Sequence, residues 1–149
     1  MAFDLFLHCF RDGRTATFKR ALAVEILGRD AVDSRDPVGF VRYRDESGSS
    51  GYCDDGEDID GVMFNHFGGE IFFDRLWELA DRTGSCFYWP DVGRPNIAVT
   101  RQETIDHLPP SMVKDFGPPW ILHNGMDIYL VIEALDRFAI PGAPAATPE

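Results

Sequence analysis

The stretch from Asp60 to Pro90, DGVMFNHFGGEIFFDRLWELADRTGSCFYWP, constrains the fold more than any other part of the chain, because it holds strand, turn, helix, turn and strand in succession. Residues 62–67 are bulky and mostly apolar, Gly68 and Gly69 break that pattern, and from Glu70 to Thr83 the spacing becomes helical. Phe72, Leu76, Leu79 and Thr83 fall in one row with Phe73, Trp77 and Ala80 beside it, while Asp74, Arg75, Glu78, Asp81 and Arg82 take the opposite side. Arg82 in the last turn complements the helix dipole, and Gly84 follows where a left-handed residue ends a helix. Residues 85–89 then read as a second strand. The seventeen residues between the two strands are enough for a parallel crossover through the helix.

The remaining elements are laid beside this unit. Residues 3–10 alternate Phe3, Leu5, Leu7 and Cys9 with Asp4, Phe6, His8 and Phe10, which predicts a first strand covered on both sides and so central in a sheet. Thr17 is placed to cap a helix over 18–27, with Gly28 past its end. Residues 29–37 read as a charged loop and 38–44 as a strand. The DESGSSG segment at 45–51 has the composition of a long hairpin loop, leading to a short strand at 52–54. Residues 85–89 and 97–100 look like a hairpin, and 107–119, with four prolines, like irregular chain holding at most one helical turn near Met112–Phe116. Residues 120–123 predict a last strand. Asn124 then caps a helix over 126–138, with Asp127 in its first turn and Ile128, Val131, Ile132, Leu135 and Phe138 on one face.

These elements predict one α+β domain over residues 1–140: a mixed, mostly antiparallel sheet of about five to seven strands with three packed helices, 18–27, 70–83 and 126–138. The expected core is Leu5, Leu7, Leu22, Ile26, Val41, Phe64, Leu76, Leu79, Phe87, Ile132 and Leu135. Residues 141–149, rich in Pro and Ala, read as a disordered tail.

Charge adds a constraint on partners. The net charge of −11 is concentrated, since residues 45–74 carry nine Asp or Glu and no Lys or Arg. Such a field repels nucleic acid and anionic membrane and attracts a basic protein surface. Cys9, Cys53 and Cys86 are far apart, which argues for reduced thiols in a cytosolic protein and against a disulfide framework. The N-terminus MAFDLFLHCF lacks the basic start and long apolar run of a signal peptide, and no eighteen-residue apolar segment occurs.

Motifs for chemistry are sparse. The DDGEDIDG segment fails the calcium-loop spacing in both glycine registers: with Gly61 at position 6 the last ligand is Phe67, and with Gly56 there the first is Gly51. His8, His66, His107 and His123 show no paired metal-ligand spacing with one another or with the cysteines. There is no GxSxG, and the acids beside Cys53 oppose a reactive thiolate. Gly68-Gly69 is explained by a tight strand-to-helix turn. Phe87, Tyr88 and Trp89 lack the basic stripe that nucleic-acid binding needs.

The reading that results is a small acidic protein-binding module with no cofactor and no metal. By analogy of class alone, it is comparable to inhibitor or immunity proteins that neutralise a basic toxin. The expected binding residues are Asp54, Asp55, Glu57, Asp58 and Asp60, with Tyr52 and Phe67 as aromatic anchors. One rival is a small hydrolase or transferase in which His66, Asp60 and His123 converge in three dimensions. Another is a structural or regulatory subunit, marked by an exposed apolar patch.

Overall fold

The computed structural model describes residues 4–89 and 96–134. In chain order these form β1 (Leu5–Arg11), β2 (Arg14–Thr15), β3 (Phe18–Lys19), α1 (Arg20–Gly28), β4 (Asp33–Arg35), β5 (Phe40–Arg42), β6 (Gly48–Tyr52), β7 (Asp58–Ile59) and β8 (Gly61–Gly68). There follow α2 (Glu70–Thr83), β9 (Ser85–Tyr88), β10 (Ile97–Val99), α3 (Gln102–Ile105), α4 (Pro110–Phe116), β11 (Trp120–Ile121) and α5 (Gly125–Ala134).

Among the described residues, nine strands form one sheet, ordered β11-β10-β9-β1-β8-β6-β5-β4 with β2 paired to β1, and β3 and β7 make a separate pair. All pairings are antiparallel except β10 with β11. The fold is α+β, as expected, with a larger sheet and two more helices. β1 is central because both of its faces bear apolar side chains, which only a doubly flanked strand can use. β8 and β9 both run antiparallel to β1, so they are parallel to each other. The crossover through α2 therefore steps over one intervening strand.

Alternation along β1 divides the core in two. Leu5, Leu7 and Cys9 face the layer of α1, α2 and α5, together with Val62, Phe64 and Phe87. α2 is the centre of that layer and buries Phe72, Phe73, Leu76, Leu79 and Ala80, a burial that favours folding by on the order of 10 kcal/mol before ordering entropy. On the opposite face a smaller cluster of Cys86, Ile97, Val99 and Leu108 packs with Phe10, Tyr88 and residues of α3 and α4. Of the expected core, Leu5, Leu7, Ile26, Val41, Phe64, Leu76, Leu79 and Phe87 are buried, and Leu22 and Ile132 are partly buried against it. Leu135, Phe138 and the tail at 141–149 lie outside the described residues.

Several local expectations are corrected. Residues 45–51 are not a long loop: β6 begins at Gly48, and the turn from β5 is short. A Cβ on Gly48 would collide with the Val41 carbonyl and one on Gly51 with the Val38 carbonyl, so these glycines permit close strand approach. Residues 33–35 within the expected charged loop form the edge strand β4. Thr17 does not cap α1. Phe18 and Lys19 pair with β7 instead, the helix starts at Arg20, and the Arg20 amide donates to the Glu57 carbonyl at 2.8 Å. Residues 102–105 and 110–116 are helical, the second opened by Pro110 and ended by Gly117. Asn124 does cap α5: its Oδ1 accepts the Asp127 amide at 3.0 Å, and Asp127 Oδ2 accepts the His123 amide at 2.7 Å.

Candidate functional site

The acidic segment is a loop braced at its β7 end. Its far side is β7, paired with β3 at Phe18↔Ile59 and Lys19↔Asp58, and the Lys19 ammonium meets the Asp58 carboxylate at 2.8 Å. Asp58 is thus partly neutralised, which removes it from the free binding charges expected of it. Asp54, Asp55 and Glu57 are exposed and make no ion pair among the described residues. Asp60 is half-buried immediately before β8, where its carbonyl accepts the Cys9 amide at 2.8 Å.

The two expected aromatic anchors part company. Tyr52, at the end of β6, is 57% exposed. Phe67 is 4% exposed and packs against Phe72 and Phe73 under α2, so it is not a surface anchor. The alternation of β8 is interrupted at His66, whose φ of 48° lies in the left-handed region, where the register with β6 also slips. That bulge gives β8 one residue more than its partner.

Beside the acidic loop, the sheet face opposite α2 carries a transverse row that the strand registers define. Tyr52 lies opposite Met63, Met63 opposite Phe6, Phe6 opposite Tyr88, and Tyr88 opposite Ile97. Directly opposed residues of antiparallel strands point to the same face, so these five side chains form one line across five strands. The Phe6 and Tyr88 rings stack at 4.9 Å with 8° between planes, and Phe116 of α4 stacks on Tyr88 at 5.9 Å. α4 thereby covers the β9 end of the row. Phe6, Met63 and Tyr52 remain at the wall and rim of an open cleft of about 200 Å³, also lined by His8, Cys53, Asp54, Asp60 and Tyr88.

His8 belongs to the neighbouring row, opposite Gly61 and Cys86. Its ring stacks on Phe10 at 4.2 Å, and its Nε2 is buried without a hydrogen-bond partner. Burial lowers the His8 pKa, and the nearby Asp60 charge only partly opposes this, so the imidazole is neutral at physiological pH. The three thiols are free, and burial raises all three, Cys86 to about 12, so none is an activated nucleophile.

A second cleft, about 420 Å³, lies between the β5–β6 turn and the start of α2, with His66 on its wall. Two of its polar side chains, Asp45 and Ser47, are engaged in capping α2. Gly69 has no side chain to close α2, and a Cβ there would strike Ser47. Asp45 Oδ2 instead accepts the Ile71 amide at 3.1 Å and Ser47 Oγ accepts the Phe72 amide at 3.1 Å, while Ser47 donates its own hydroxyl to Asp45 at 2.5 Å. Asp45, one of the nine acids of the charged segment, is therefore a structural cap.

His66, Asp60 and His123 are not brought together. Asp60 and His66 line separate clefts toward opposite ends of β8, about 20 Å apart at ~3.3 Å per residue. His123 follows β11, four strands from β8, or about 19 Å at ~4.8 Å per strand. No group of three or more His, Cys, Asp or Glu able to hold a metal occurs among the described residues. None of the described helices is long and apolar enough to cross a membrane.

The transverse row was missed by reading strands singly, since it exists only once registers are known. Its one visible signal was Phe6, His8 and Phe10 on the second face of β1.

The fold and this surface define an acidic α+β domain with a half-covered sheet. Against known protein families, characterised proteins and solved structures, the chain shows no match.

Proposed function

We propose that this chain is a protein-binding module whose acidic loop, with Tyr52 at its edge, recognises a basic protein, in the manner of an inhibitor or immunity protein that neutralises a toxin. The observation that carries the reading is that Asp54, Asp55 and Glu57 are exposed and make no ion pair among the described residues, while the loop base is pinned by the β3–β7 pairing. Unpaired carboxylates on a fixed loop cost no rearrangement on binding and steer a cationic partner at long range. The exposed ring of Tyr52 supplies the desolvated contact area that rim charges lack.

The test is affinity capture from the cell of origin, with wild type and with the Asp54→Ser/Asp55→Ser/Glu57→Ser variant as parallel baits. A protein of high isoelectric point retained by wild type and lost from the variant supports the reading. Equal retention by both baits, or retained partners that are all acidic, contradicts it.

A further inference from the structure

One end of the sheet is an open edge. Among the described residues β4 pairs only with β5, its residues Asp33, Ser34 and Arg35 are all exposed, and no bulge interrupts its register. An edge strand of this kind turns a row of backbone amides and carbonyls away from its own sheet. We infer that this edge is a self-association surface, whose occupant is β4 of a second copy of this chain, paired antiparallel about a two-fold axis at Ser34. The inference does not rest on the acidic loop, and its test does not use the loop's partner.

Charge selects the second copy. Asp33 lies opposite Arg42 and Arg35 opposite Phe40, so both charged side chains stand on the sheet face away from α2, while Ser34, opposite the buried Val41, belongs to the other face. The Arg35 guanidinium lies over the Phe40 ring at 5.8 Å. Neither Asp33 nor Arg35 has an ion pair among the described residues. A two-fold axis normal to the sheet keeps each face continuous across both copies, and directly opposed residues must then share a face, which places the axis on a residue and not between two. Centred on Asp33 or on Arg35, the pairing sets like charges against each other. Centred on Ser34, it sets Asp33 of each copy against Arg35 of the other. The line across the junction then reads Phe40, Arg35, Asp33, Arg42, with a carboxylate between two guanidiniums.

A charged edge is ordinarily a guard against strand addition. That guard acts by repulsion, whereas here both signs are neutralised in one register only, so the edge rejects other registers and accepts its own copy. A three-residue strand buries far less than the roughly 1,200 Å² of a stable specific interface, so the dimer is weak, with a Kd on the order of 0.1–1 mM.

The test is the mass of the full chain by analytical ultracentrifugation from about 10 μM to about 1 mM, at an ionic strength of about 0.15 M that screens the net charge of −11 on each copy. Wild type should pass from monomer towards dimer across that range, with concentration-dependent NMR amide shifts centred on residues 32–36. Asp33→Arg and Arg35→Asp each set like charges at both junction pairs and should each weaken self-association about tenfold or more. Mixed in equal amounts the two single variants are complementary again and should form a heterodimer of wild-type strength, as should the double variant Asp33→Arg/Arg35→Asp with itself. A wild type that is monomeric throughout overturns the assignment and leaves the edge to a strand of another protein. Dimers of wild-type strength in both single variants, or a mixture that stays monomeric, overturn it as well. If a variant loses the wild-type circular dichroism spectrum, the wild-type shifts decide: centred on residues 32–36 they support the assignment, and centred elsewhere they overturn it.

Discussion

Asp45 accepts the backbone amide of Ile71 at 3.1 Å, closing from 26 residues away a helix whose own N-cap position is glycine. Ser47 does the same for Phe72, and the two caps differ in surroundings: the Ile71 bond is exposed and the Phe72 bond is buried. Water replaces a lost exposed partner, whereas a buried amide left alone bears its full desolvation penalty. Asp45→Ala should therefore lower stability by about 1 kcal/mol and Ser47→Ala by more, about 2–3 kcal/mol, measured by urea unfolding at neutral pH. Equal effects, or a larger one at Asp45, would contradict this division.

Acid should unfold the domain through three carboxylates held below their ordinary range. For Glu78 the main cause is the paired hydrogen bonding from Arg29, at 2.9 and 3.1 Å, and for Asp81 it is that from Arg101, at 2.7 and 3.0 Å, with Thr100 adding a third bond. At Asp45 burial works in the opposite direction, but the bonds from Ser47 and Ile71 together outweigh it. Because each folded value is depressed, the stabilisation is present above the ordinary values of 3.8 and 4.5 and is lost as pH falls through the lowered ones. Thermal midpoints should be flat from neutrality to about pH 5 and fall steeply below pH 4. Glu78→Gln and Asp81→Asn should each make that fall shallower.

Gly51 tests the claim that the glycines of β6 permit close approach of the chains. A methyl group there would meet the Val38 carbonyl, which is backbone and cannot rotate away. Gly51→Ala should destabilise by about 1–3 kcal/mol, against the gain usual for such a change in a loop of flexible chain. A stabilised variant would restore the loop reading of residues 45–51.

How much of this was legible in the sequence follows the range of the interactions. α2 was read with its observed ends, Glu70 and Thr83, because its apolar row, Arg82 and Gly84 are all local signals. Asn124 was recognised as a cap for the same reason. The start of α1 was misplaced because its first amide is satisfied by Glu57, a partner distant in sequence that only the β3–β7 pairing delivers. The DESGSSG segment misled because glycine and serine signal flexible chain by composition, whereas here their small size is what the neighbouring strand requires. Phe67 was mistaken for an anchor because its period-two position is ambiguous without the bulge at His66. Charge counting singled out the acidic segment, but which of its acids are free of partners among the described residues required the geometry: Asp58 pairs with Lys19, and Asp45 caps α2.

The central claim is that the free charges of Asp54, Asp55 and Glu57 drive recognition of a basic protein. The most direct measurement is the association rate constant of the captured partner with wild type and with the Asp54→Ser/Asp55→Ser/Glu57→Ser variant across a range of ionic strength, by stopped-flow fluorescence. The variant should keep the wild-type circular dichroism spectrum, associate about tenfold more slowly at low salt, and lose most of the salt dependence that screening imposes on the wild type. An unchanged rate at low salt, with the same dependence on ionic strength, would contradict the account.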